Sequence, residues 1–167
     1  MSSLDKKLLN EQLENYQIQR HDFLNDFQVI RGYLQLNMPD KALEYIDEAL
    51  LELLPQQEVY KIGQKTMQAI FLSLFFGLRL LGVKMVLRLS PEMKEREFWL
   101  EGWQEEYAQQ FYGYTKECLS LVAEAEEGHL DEMLAEIHLN SLPDGFVCEF
   151  KLYSQGKIYL QNNFHPV

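Results

Sequence analysis

The chain has 167 residues and 47% hydrophobic content, which suits one compact domain or two small ones with a real core and excludes disorder. A formal net charge of -11 and an isoelectric point near 4.8 oppose nucleic acid and anionic membrane as partners, because both need clustered Lys and Arg. The N-terminus has no apolar signal-peptide core, and Cys118 and Cys148 match no zinc or CxxC spacing, so a reduced, cytoplasmic setting is expected.

The first expected element is a helix from about Leu4 to Leu36. Leu9, Leu13, Tyr16, Arg20, Phe23, Phe27, Ile30 and Leu34 follow one another at alternating steps of four and three, a 3.5 period that signals a coiled coil or bundle. Only Arg20 breaks the apolar seam. His21 falls on its flank, where packing holds the helix rigid and leaves the ring open to a partner. Asp22 follows it directly, and Asn25 lies one turn further on the same face. Imidazole offers a neutral nitrogen nucleophile near neutral pH. A neighbouring carboxylate can orient the ring and stabilise the charge that develops when the other nitrogen attacks phosphorus, and an amide at i+4 can bond a phosphoryl oxygen or a water. The plainer reading is a surface histidine in polar company.

Asn37-Met38-Pro39-Asp40 supplies the stop, since Asn takes the left-handed cap and Pro opens the next helix. Ala42, Ile46, Ala49 and Leu53 continue the spacing, Leu43 and Leu50 widen the stripe, and Pro55 is expected to end the helix. The short connection makes the two helices antiparallel neighbours. Such a hairpin cannot cover its own stripes, and burying each apolar seam residue is worth roughly 1.5 to 3 kcal/mol. An isologous homodimer, two hairpins forming a four-helix bundle with a His21 on each side, is the economical solution. The alternative is that the seam packs on the rest of the same chain.

Beyond Pro55 a mostly buried helix is expected over Glu58–Leu81, closed by Gly82. Its charge-free run, Thr66 to Leu78, is about 13 residues, short of the roughly 20 that span a bilayer. A strand follows over Val83–Leu89, then a helix over Trp99–Glu126 closed by Gly128, whose Trp99, Trp103, Tyr107 and Phe111 recur at i+4 as a core stripe rather than a ligand cage. Strands over Met133–Leu139, Phe146–Tyr153 and Lys157–Leu160, with turns at Pro143-Asp144-Gly145 and Gln155-Gly156, make an antiparallel meander. The fold class is α+β: a helical hairpin over 1–57 and a small α/β sandwich over 58–167, of ordinary domain size. His129, His138 and His165 match no ligand spacing, so no metal site is expected.

The run Arg20-His21-Asp22-Phe23-Leu24-Asn25-Asp26-Phe27-Gln28-Val29-Ile30-Arg31-Gly32-Tyr33-Leu34-Gln35-Leu36, followed by Lys41-Ala42-Leu43-Glu44-Tyr45-Ile46, resembles the sporulation initiation phosphotransferase family. It is also similar to the dimerisation hairpin of citrate and dicarboxylate sensor histidine kinases. The resemblance is close over residues 15 to 55 and loose beyond. It implies a phosphorelay, in which a phosphoryl group passes from an aspartate of one response-regulator receiver domain to His21 and on to an aspartate of another. Carried over, His21 is the phosphoacceptor, Asp22 the neighbouring acid and Asn25 the amide. The resemblance implies no cofactor on this chain, the charge-neutralising Mg2+ sitting in the receiver. The α/β part resembles a histidine-kinase ATP-binding domain whose nucleotide site is lost. Trp99–Glu126 contains no asparagine to hold magnesium, Asp144-Gly145 has no second glycine two residues on, and there is no Walker-type loop. Autophosphorylation from ATP is not expected.

Two further readings compete. One is a non-catalytic interaction module that docks and inhibits a sensor kinase or receiver, and the other is an inert dimeric scaffold. A docking face is expected beside the histidine, on Gln17, Leu24, Gln28 and Arg31 of neighbouring turns. Leu24 either gives a partner an apolar side chain to bury or widens the bundle core. Arg20 either stabilises phosphoryl oxygens or snorkels to water.

Overall fold

The structure is a computed structural model that describes residues 1–126 and 132–167. Helix α1 (Ser3–Gln35) starts from a capping box, in which Ser2 Oγ accepts from the Asp5 N–H while Asp5 accepts from the Ser2 N–H. It stops where expected: Asn37 adopts φ 56°, and Pro39 opens α2 (Pro39–Tyr60).

Pro55 does not end α2. It lies inside the helix, which continues for more than a turn to Tyr60. The carbonyl it deprives of a partner belongs to Leu51, an exposed residue whose acceptor water can take up, while Val59 beyond it is fully buried. Glu58–Tyr60 therefore belongs to α2, and the next helix, α3, begins only at Lys65 and ends at Leu80. The break between them is set by Gly63. Its N–H donates to Met93 O, and a Cβ there would stand 2.8 Å from both Glu95 O and Trp99 Cδ1. Gln68 closes the junction by donating to the carbonyls of Tyr60 and Ile62 at the end of α2.

Strand β1 (Lys84–Leu89) follows, then a 3-10 turn at Pro91–Lys94 and a short helix α4 (Arg96–Gly102). The continuous helix expected over Trp99–Glu126 is two helices. Trp103 has extended backbone, and α5 runs over Glu105–Glu126. The aromatic stripe continues across the break because it packs as a chain of rings, Trp99 on Trp103 and Trp103 on Tyr107, with Trp99 and Phe111 both reaching Phe146. It is core, as its spacing indicated. Gly128, expected to close the helix, and His129 lie outside the described residues.

Strands β2 (Met133–Leu142), β3 (Gly145–Ser154) and β4 (Lys157–Phe164) form the antiparallel meander, each longer than its expected span, and β1 joins β2 in parallel to give the order β1-β2-β3-β4. Gln155 and Gly156 both take positive φ (52° and 74°), the geometry of a tight hairpin turn. Along β2 and β3 burial alternates, with Ala135, Ile137, Leu139, Cys148, Phe150 and Leu152 pointing into the core with α3 and α5.

That core also takes in the start of α1. Leu4 and Leu8 belong to it, Gln12 Nε2 donates to Ala69 O and Ser73 Oγ of α3, and Glu11 meets Tyr112 and Lys116 of α5. The architecture is α+β, with the base of the hairpin seated on the α/β layers. No helix among the described residues is long and apolar enough to cross a membrane.

Candidate functional site

One face of the middle of α1 stands clear of the core. His21 lies there with a side chain 74% exposed. Its Nδ1 faces its own helix, 3.3 Å from Asn25 Nδ2 and 3.8 Å from Asp22 Oδ1, so Nε2 is the nitrogen left to meet a partner. The i+4 spacing brings Asn25 to the ring as the sequence indicated.

The two neighbours ask for opposite tautomers. An amide N–H donated by Asn25 engages the Nδ1 lone pair and leaves the proton on Nε2. A carboxylate oxygen at Nδ1 favours Nδ1–H and leaves the Nε2 lone pair free. Half a turn of the Asn25 amide presents Oδ1 instead of Nδ2, and Oδ1 then accepts from Nδ1–H, while the Asp22 carboxylate at 3.8 Å favours that proton by its charge.

Asp22 also reaches inward. Its Oδ2 accepts from Arg79 Nε of α3 at 2.7 Å, and Arg79 Nη1 donates to Glu52 Oε2 of α2 at 3.2 Å. The guanidinium thus bridges all three helices. Burial alone would lower its pKa, and the bonds from Asp22 and Glu52 outweigh this and raise it. One turn above, Tyr45 of α2 donates to Asp26 Oδ1 at 2.8 Å, a bond that pushes the phenol above its ordinary pKa. Gln56 Nε2 donates to Gln19 Oε1 at 2.6 Å, a third strut between α1 and α2.

Gln17, Arg20, Leu24, Gln28 and Arg31 are all exposed, and Gln17, Leu24, Gln28 and Arg31 share the stripe of His21. Leu24, 51% exposed, is not buried within the chain. Nor is most of the seam: Leu9, Leu13, Tyr16, Phe23, Phe27 and Leu34 are all exposed, and only Ile30 is half-buried. Most of the seam is left open by the rest of the chain, although Phe23 lies beside Ala49, Leu53 and Phe75 and Ile30 is half-buried. Packing on the core falls to Leu4, Leu8, Asn15 and Ile18, on another face of α1.

Sequence reasoning missed Arg79. Its one signal is a lone cation that follows the charge-free run Thr66–Leu78, where the end of an apolar helix needs an acidic partner. Elsewhere, His138 is engaged with Glu136 at 2.6 Å, and Cys118 and Cys148 are free and buried, burial pushing the Cys118 thiol up to about 12. No group of three His, Cys, Asp or Glu side chains is placed to hold a metal ion among the described residues.

Residues 1–62 match the family described as Sensor kinase SpoOB-type, alpha-helical domain. The matched segment takes in all of α1 and α2, and with them His21, Asp22 and Asn25. It supports the resemblance read from the hairpin and a role in two-component signalling. No curated protein matches the chain.

Proposed function

We propose that the protein is a histidine phosphotransferase of a phosphorelay, carrying a phosphoryl group between aspartates of response-regulator receiver domains through His21. The observation that carries this reading is the solvent-open imidazole on a continuous helix, with Asn25 and Asp22 both on its Nδ1 side.

In the forward step the Nε2 lone pair attacks the phosphorus of a receiver phosphoaspartate. The N–P bond forms, the P–O bond to the aspartyl oxygen breaks, and the aspartate leaves as carboxylate. Nδ1 keeps its proton, and the positive charge on the ring is stabilised by Asp22 and by the Asn25 carbonyl once the amide has turned. The second step reverses the first: an aspartate oxygen of another receiver attacks phosphorus, and the N–P electron pair returns to Nε2. The receiver supplies the Mg2+ that neutralises the phosphoryl oxygens, and this chain supplies position, which accounts for much of such a barrier.

The exposed seam supports an isologous homodimer. Tyr16, Phe23, Phe27 and Leu34 of α1 and Leu43, Leu50 and Leu54 of α2 together present an apolar surface of the kind that a four-helix bundle covers. Gln17, Leu24, Gln28 and Arg31 then flank each histidine as the receiver docking face, with Arg20 within reach of phosphoryl oxygens.

The test is to incubate the protein with a 32P-labelled phosphoreceiver in the absence of ATP. Acid-labile label is expected on the protein, absent in His21→Ala and chased by a second, unphosphorylated receiver. A receiver that binds equally well to both proteins and labels neither would establish the docking-module reading instead. Label from ATP alone would overturn the loss of nucleotide chemistry.

A further inference from the structure

We infer that Arg79 is a positioning residue for His21, an inference that rests on the phosphotransfer reading and assigns the α/β part of the chain a share in the reaction. Arg79 does not touch the imidazole. It holds Asp22 Oδ2 at 2.7 Å, which leaves Oδ1 as the oxygen facing His21 Nδ1 at 3.8 Å. A carboxylate on a helix surface otherwise samples several rotamers in water. Fixed by a guanidinium that is itself tied to Glu52, it keeps an acceptor on the Nδ1 side of the ring.

That acceptor selects between tautomers. Asn25 alone serves either one, because its amide can present N–H or C=O to Nδ1. The anchored carboxylate accepts only, and so biases the ring toward Nδ1–H and the Asn25 amide toward its carbonyl-facing orientation. The nucleophilic pair then sits on Nε2, the nitrogen open to a receiver. Arg79 lies near the C-terminal end of α3, whose apolar face builds the shared core, so a helix beyond the hairpin sets the reactive form of a histidine carried by the hairpin.

The experiment compares wild type with Arg79→Gln, Arg79→Lys and Glu52→Gln in the full chain, each confirmed folded by circular dichroism. Long-range 1H–15N spectra of the His21 ring, recorded where it is neutral, give the tautomer ratio. Chemical phosphorylation by phosphoramidate gives the reactivity of Nε2 without any receiver. Arg79→Gln is expected to lower the ratio of Nδ1–H to Nε2–H by about fivefold and the phosphoramidate rate by a similar factor. The KM for a phosphorylated receiver stays within about twofold, because the docking stripe is untouched. Arg79→Lys, which keeps a charged donor to Asp22, recovers more than half of both losses, and Glu52→Gln, whose amide oxygen still accepts from Arg79, leaves the tautomer ratio unchanged. An unaltered ratio in Arg79→Gln, or an equal shift in Glu52→Gln, would show that Arg79 only ties α3 to the hairpin. The tautomer comparison needs no phosphate. A wild-type protein that takes no label from receivers would therefore remove the phosphorelay reading while leaving the positioning of the ring separately decided.

Discussion

The Tyr112 hydroxyl of α5 donates a 2.6 Å hydrogen bond to Glu11 Oε1 of α1, and Lys116 Nζ approaches the same oxygen at 2.6 Å while lying 5.0 Å from the Tyr112 ring centroid. This trio binds the base of the histidine-bearing helix to the α/β layers. Burial raises the Glu11 pKa, but the bonds from Lys116 and Tyr112 outweigh it and hold the carboxyl below its usual value of 4.5. A carboxyl depressed in the folded state contributes stability above its unfolded pKa and loses it as pH falls through the folded one. The wild-type melting temperature should therefore drop more steeply below about pH 4.5 than that of Glu11→Gln, as scanning calorimetry from pH 7 to pH 3 would measure. Parallel curves would mean that the trio contributes nothing through its charge.

Phe27, 67% exposed in the single chain, lies in the seam expected to meet a second copy. Glu at this position would place a charge in a desolvated contact on both sides of an isologous interface. Phe27→Glu should run as a monomer in light scattering at concentrations where wild type is a dimer. A wild-type monomer would refute the bundle.

Leu24→Ala removes an exposed apolar side chain beside His21 and leaves the imidazole and its partners in place. An anchor in a docking face costs on the order of tenfold in affinity when truncated. Receiver binding measured by calorimetry should weaken by about that factor, while labelling by phosphoramidate stays at the wild-type rate. If both are unchanged, Leu24 takes no part in docking.

Gly63→Ala places a methyl 2.8 Å from Glu95 O and Trp99 Cδ1, neither of which is the free end of a flexible side chain. The junction between α2 and α3 must open to admit it, at a cost of about 1 to 3 kcal/mol. Urea unfolding should show a lower midpoint with unchanged slope, and no destabilisation would mean that the junction yields freely.

The geometry of the candidate site was legible because His21, Asp22 and Asn25 lie on one helix, where side chains that meet are three or four residues apart in sequence. The interhelical turn was legible for a similar reason, since Asn37 and Pro39 each favour a backbone geometry that the structure adopts. Arg79 was not, because it meets Asp22 across 57 residues of chain and no local spacing records such a pair. The helix boundaries failed where tertiary packing overrode local preference. Pro55 costs its helix a hydrogen bond, yet burial of Val59 and Ile62 just beyond keeps the chain following the core. The i+4 recurrence from Trp99 to Phe111 concealed a break at Trp103, because rings can stack on one another without sharing a helix.

Because α1 is uninterrupted between Gln12, bonded to α3, and His21 in solvent, it is a lever arm roughly 14 Å long, at about 1.5 Å per residue. Its fulcrum is clamped at Glu11 and Gln12, and Arg79 braces the far end. A tilt of about five degrees at the fulcrum would sweep the imidazole through about 1 Å, which for the in-line attack proposed above would matter. For a histidine that takes phosphate from one receiver and gives it to another, as proposed above, the two braces would act as tolerances on the distance between nucleophile and phosphorus.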